Sequence, residues 1–152
     1  MPNSLKIFLS YSHADEAMKT QLDMNLVGLK KSNRIEVWQD RAIMPGDTWN
    51  EEIKNALVAA DIILLLISVD FNNSKYIWEN ELNIALERHA RKEARVIPVI
   101  LRTCDWGDMP YAKLQALPTG AKPISSFADK DEAYTDVARG IRKVVDHLLS
   151  QT

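Results

Sequence analysis

Cysteine is nearly missing from this sequence: Cys104 is the only one in 152 residues. One thiol cannot close an intramolecular disulfide, so a reducing compartment is expected. A chain of this length can bury a working core without metal or disulfide staples. Excess charge of one sign is missing too. With 19 basic and 21 acidic side chains the formal net charge is −2. That excludes a broadly basic surface, so nucleic acid is not an expected partner. The longest apolar run, Ile62 to Ile67, is far too short to cross a bilayer. Residues 1–5 lack the charged head and apolar stretch of a secretory signal. The expectation is a cytoplasmic location with no membrane partner.

The common reaction motifs are also lacking. No G-x-x-x-x-G-K-[ST] loop occurs and no G-x-G-x-x-G follows the first apolar run, so both usual phosphate cradles are excluded. There is no G-x-S-x-G nucleophile elbow. His13, His89 and His147 stand isolated and Cys104 has no C-x-x-C companion, so neither a metal nor a resident cofactor is expected. A phosphoacceptor domain would want paired carboxylates after the first strand, where Ser10, Tyr11 and Ser12 stand instead.

What is present alternates from end to end. Residues 6–10 read as a first strand, followed by Met18, Leu22, Leu26 and Leu29 at helical spacing with Ser12 as N-cap. Residues 35–38 form a second strand, and residues 39–48 a loop containing the turn signal Pro45-Gly46. Trp49, Ile53, Ala56 and Leu57 mark a second helix, closed before Asp61. The continuous run Ile62 to Ile67 predicts a strand covered on both faces. Trp78, Leu82, Ala85, Leu86 and His89 give a third helix beginning near residues 74–76. Residues 96–101 give a fourth strand, which Pro98 confines to a sheet edge or a bulge because it has no N–H for the ladder. A turn-rich stretch, 103–120, leads to a short fifth strand near Pro123 and Ile124. Val137, Ile141, Val144, Val145 and Leu148 close the chain as an amphipathic helix.

This alternation predicts one α/β domain over residues 1–152, able to stand as part of a longer protein. Its expected form is a flavodoxin-like, five-stranded parallel sheet with helices on both faces. Such sheets bind ligands beyond the C-terminal ends of their strands. That rule singles out residues 10–15, 39–48, 68–76 and 103–120.

Three ordered segments resemble the boxes of TIR (Toll/interleukin receptor) domains. Ile7-Phe8-Leu9-Ser10-Tyr11-Ser12-His13 followed by Asp15 is similar to the opening box. Trp38-Gln39-Asp40-Arg41-Ala42-Ile43-Met44-Pro45-Gly46-Asp47 resembles the second box. Ser74-Lys75-Tyr76-Ile77-Trp78-Glu79-Asn80-Glu81-Leu82 resembles the aromatic-then-Glu segment that carries the catalytic glutamate of enzymatic members. The stretch from Ala85 to Trp106 is similar to bacterial TIR proteins, including those fused to STING-like sensors.

The resemblance implies an NAD⁺ nucleohydrolase switched on by self-assembly, with NAD⁺ as substrate rather than cofactor and Glu81 as catalytic carboxylate. Cleavage of the nicotinamide–ribose bond passes through an oxocarbenium-like state that one carboxylate can stabilise. Nicotinamide leaves neutral, so no general acid is required. Ser10 and Tyr11 would shape the pocket floor, Asp40 would bond a ribose, and Trp49 and Trp78 would lie against the substrate. Trp106 would close the site from a neighbouring copy. Arg41, Pro45 and Gly46 would belong to a self-association loop, which could build filaments. Antiviral defence under a sensor outside this chain is the implied setting. Two other functions fit the same resemblance: a scaffold that only makes TIR–TIR contacts, and a cyclase releasing a cyclic ADP-ribose signal.

Each residue also has a plainer role. Glu81 borders the stripe of Trp78, Leu82 and Ala85 and could be a solvated helix glutamate. Glu79, two positions away, is its rival. Glu87 is expected to pair with Arg91 at i, i+4. Trp49 could be core, Asp40 a loop cap, and Cys104 a small half-buried residue.

Overall fold

The computed structural model describes residues 4–38 and 49–151, and for Trp49 and Asn50 the backbone alone. In order come β1 (Leu5–Ser10), a 3-10 turn (His13–Asp15), α1 (Glu16–Asn25), α2 (Val27–Lys31), β2 (Ile35–Val37) and α3 (Trp49–Ala59). Then follow β3 (Ile62–Ile67), α4 (Val69–Asn73), α5 (Lys75–Ile77), a π-helical turn (Trp78–Leu82), α6 (Asn83–Ala90) and β4 (Arg95–Ile100). Two 3-10 turns (Thr119–Ala121 and Ile124–Ser126) precede α7 (Lys130–Ser150).

All strands pair in parallel, in the order β2-β1-β3-β4. β3 lies inside the sheet, and all six of its residues are fully buried. Because side chains alternate along a strand, Ile62, Leu64 and Leu66 enter one core and Ile63, Leu65 and Ile67 the other. The first core is closed by Leu22, Leu26 and Leu29 with Val137, Ile141 and Val145 of α7. Ile53 and Leu57 of α3 and Ala85 of α6 close the second.

The described residues form four strands, not five. At residues 123–124 the chain enters a 3-10 turn instead, with Phe127 N–H bonded to the Ile124 carbonyl at 3.1 Å. Among the described residues the free edge of β4 is bridged by Leu117. Its N–H donates to Pro98 O at 2.9 Å and its carbonyl accepts from Ile100 N at 2.8 Å. The ladder stops there because Thr119 N–H, next in line, donates to Asp136 Oδ2 at 2.7 Å. Pro98 does lie on an edge strand, as its missing donor requires. Its nitrogen points the same way as its carbonyl, towards the free edge and away from β3.

The first helical stripe keeps its phase but is broken. Leu26 sits at φ −89°, ψ 10°, and its N–H bonds back to Asp23 O at 3.1 Å, separating α1 from α2. Ser12 caps the 3-10 turn, accepting from Ala14 N at 3.3 Å, and does not cap the α-helix itself.

Candidate active site

Beyond the C-terminal end of β1 lies a cavity of about 400 Å³. Among the described residues, Phe8, Leu9, Tyr11, Ser12 and His13 line one side, Ser74, Tyr76, Ile77 and Glu81 another, and Trp38 and Ile53 line it as well. Trp38 stacks on Phe8 with ring centroids 5.5 Å apart and planes 12° from parallel. Tyr11 meets the edge of His13 at 6.3 Å, and the Lys19 ammonium lies 5.3 Å from the Tyr11 ring centroid. Aromatic rings therefore form a good part of the walls.

Glu81 is the buried acid of this cavity, only 7% exposed. The π-helical turn explains how it gets there. Bonding from i to i+5 fits an additional residue into the turn, and the sequence neighbours Glu81 and Leu82 are both buried. Ser10, the last residue of β1, donates its hydroxyl to Glu81 Oε1 at 2.7 Å and is 1% exposed itself. Glu79 points the other way: its side chain is 59% exposed and lies 3.8 Å from Lys75. Of the two rival glutamates, only Glu81 lines the cavity.

Tyr11 lines the cavity with Glu81, while Ser10 is absent from the lining and reaches it only through its bond to Glu81. Trp78 does not line the cavity; its indole N–H donates to Asn72 O at 2.8 Å and its ring packs on the second core. Trp106 packs on that core as well and is absent from the lining of its own chain's cavity. Trp49 opens α3, but its side chain lies outside the described residues, as do Asp40, Arg41, Pro45 and Gly46. Sequence reasoning missed Trp38, assigning it to a strand. Its position directly before the strand-end segment 39–48 was the available signal. Ser74 and Tyr76 fell inside the flagged segment 68–76 without being singled out.

Beside the cavity is a charged network. Asp15, with 1% of its side chain exposed, accepts from Ser68 Oγ and from Arg102 Nε, the latter at 2.8 Å. Arg102 also pairs with Asp70. Its hydrogen bonds to Asp70 and then Asp15 push its pKa still higher, so it is permanently charged. Cys104 is half-buried, and burial above all pushes its thiol pKa up, which disfavours the reactive thiolate. Glu87 and Arg91 form the expected i, i+4 pair at 2.6 Å. Among the described residues, no group of three or more His, Cys, Asp or Glu could hold a metal ion. Nor is any described helix long and apolar enough to cross a membrane.

A parallel α/β domain with a carboxylate-bearing, aromatic-walled cavity beyond its strand ends is the class that these features define. The family model described as TIR domain matches residues 7–138, and the chain belongs to that family. An uncharacterized protein of Sinorhizobium fredii, y4lF, is 46% identical over 137 residues, 90% of this chain. The chain spans 42% of that relative's length. Solved structures share the fold. The TIR domain of the Toll-related receptor TRR-2 from Hydra magnipapillata superposes with a TM-score of 0.63 at 18% identity, covering 91% of this chain and 99% of its own. The RPS4 and RRS1 TIR domain heterodimer gives 0.58 at 12% identity, covering 92% and 96%. The TIR domains of the activated Roq1 resistosome, which recognises the pathogen effector XopQ, give 0.54 at 20%, covering 90% and 84%.

Proposed function

We propose that this chain cleaves NAD⁺ at the nicotinamide–ribose bond, that self-association activates it, and that it serves a bacterial defence system whose sensor lies elsewhere. The TIR family includes NAD-cleaving members and scaffold members. The observation that carries the first reading is Glu81, a carboxylate nearly removed from water on the wall of an aromatic cavity and held by the Ser10 hydroxyl. A cavity of about 400 Å³ falls within the range of small-molecule sites. It would take the nicotinamide–ribose half, with the rest of the dinucleotide extending towards Trp106 of a second copy.

The bond from ribose C1′ to the nicotinamide nitrogen breaks with its electron pair passing to nitrogen. Nicotinamide departs neutral and positive charge develops on the ribose. Glu81 stabilises that charge, and Ser10 fixes the carboxylate's orientation so that little reorganisation is needed. Water then adds to C1′ and loses a proton, giving ADP-ribose. If a nucleophilic nitrogen of the same molecule adds instead, the product is cyclic. Chromatography of the products distinguishes the two.

The test is nicotinamide release by concentrated wild-type chain, Glu81→Gln and Glu79→Gln. Glu81→Gln should lose on the order of 10²-fold or more in rate, and Glu79→Gln should match wild type. Loss only in Glu79→Gln refutes the assignment. No turnover by any of the three at high concentration refutes the enzyme reading in favour of the scaffold.

A further inference from the structure

We infer that Arg102 is a positioning residue that ties the two walls of the cavity to each other. Its Nε donates to Asp15 Oδ1 at 2.8 Å, and its Nη2 donates to Asp70. Asp15 ends the 3-10 turn that begins at His13, so it anchors the wall of Tyr11, Ser12 and His13. Asp70 lies on α4, whose C-cap Ser74 belongs to the opposite wall. The same helix accepts the Trp78 indole N–H at the Asn72 carbonyl, and Trp78 opens the turn carrying Glu81. One guanidinium therefore stands between the Tyr11 wall and the Glu81 wall, beside the buried hydrogen bond by which Ser68, the N-cap of α4, also holds Asp15.

The two arms of the bridge differ in burial. Asp15 has 1% of its side chain exposed, so its carboxylate needs charged and hydrogen-bonding partners simply to fold. Asp70 is 45% exposed, and an ion pair that open to water adds little stability. What the Asp70 arm adds is a second link, outside the buried Ser68–Asp15 bond. Two nitrogens of one planar guanidinium can hold two carboxylates in fixed geometry, whereas a lysine ammonium offers a single point charge. Releasing this arm loosens one wall relative to the other without exposing the core. The consequence for turnover rests on the NAD⁺ reading above; the consequence for wall geometry does not.

The test compares the full chain with Arg102→Lys, Asp70→Asn and the double variant. Arg102→Lys keeps a cation beside the buried Asp15, and Asp70→Asn touches only the exposed arm, so both should fold. Amide hydrogen exchange should speed up together in residues 11–15 and 74–82, by on the order of 10-fold, with the double variant no worse than either single because they cut one link. KM for NAD⁺ should rise by a similar factor, a change that mere loss of folded enzyme would not produce. Exchange that rises in one segment alone, or in neither, overturns the inference and leaves Arg102 as a counter-ion for Asp15. Joint loosening in a chain whose wild type releases no nicotinamide upholds the bridge and removes the NAD⁺ reading.

Discussion

Replacing Glu81 with Gln should leave the chain as stable as wild type, or more so, while removing the proposed nicotinamide release. The carboxylate is 7% exposed, in a wall built mostly of apolar and aromatic groups. Withdrawing such an ion from water costs several kcal/mol even after the protein relaxes. The charge-assisted bond from Ser10, 2.7 Å long, returns about 1.5–3 kcal/mol of that. Gln fills nearly the same space, and its carbonyl oxygen can still accept the Ser10 hydroxyl. The substitution thus removes the ion's desolvation, weakens the carboxylate's contacts, the Ser10 bond among them by about 1 kcal/mol, and buries an amide N–H₂ that costs about 1–3 kcal/mol where it finds no acceptor. The net should lie between zero and about 2 kcal/mol in favour of the variant, or up to about 8 °C in Tm for a chain of this size. Thermal unfolding followed by circular dichroism at fixed pH, beside the nicotinamide assay, measures both sides. A midpoint more than about 4 °C below wild type, corresponding to roughly 1 kcal/mol or more, would refute the reasoning. The carboxylate would then be a structural tie.

Three further outcomes are expected. His89 accepts Val96 N–H on Nδ1 at 3.0 Å, and burial first, then Arg95, hold its pKa below the ordinary imidazole value. Its contribution to stability is therefore complete above the unfolded pKa of about 6.5 and is lost as pH falls through the lower folded value; Tm should drop as the pH is taken below about 6.5, and His89→Gln should flatten that limb. Gly140→Ala sets a helix-propensity gain of about 1 kcal/mol against about 1–3 kcal/mol of overpacking, because the new Cβ would stand 2.6 Å from Leu117 Cδ2. A Tm about 2–4 °C lower is expected, and a higher one would show that Leu117 swings aside freely. Specific activity should climb with protein concentration and Trp106→Ala should blunt it; a constant value across a dilution series in which sizing finds only monomer contradicts a site completed by a neighbour.

Much of the fold was legible because local pattern and burial agree. The run Ile62–Ile67 has no polar residue to set a face, and it became the strand buried on both sides. Pro98 announced an edge, since a strand between two partners would have needed its donor. The fifth strand failed for a reason no local pattern carries. Asp136, 17 residues further on in α7, takes the Thr119 N–H that would have extended the ladder. The break at Leu26 escaped notice because an unbroken stripe and a phase-preserving break bury the same leucines.

The site divides along the same line. The sequence alone determined the α/β class, the strand-end segments where a ligand would sit, and a short list of acids, among them Glu79 and Glu81. It also carried the box spacing by which the family can be recognised. Tertiary structure separated the two glutamates, through a π-helical turn that buries one and leaves the other in water. It brought Ser10 to Glu81 across 71 positions and seated Arg102 between Asp15 and Asp70. It also moved Trp78 into the packing and put Trp38 at the cavity instead. Periodicity states which face of an element is buried, but not what that face meets. Hydrogen-bond partners far apart in the chain exist only once the strands have chosen their neighbours.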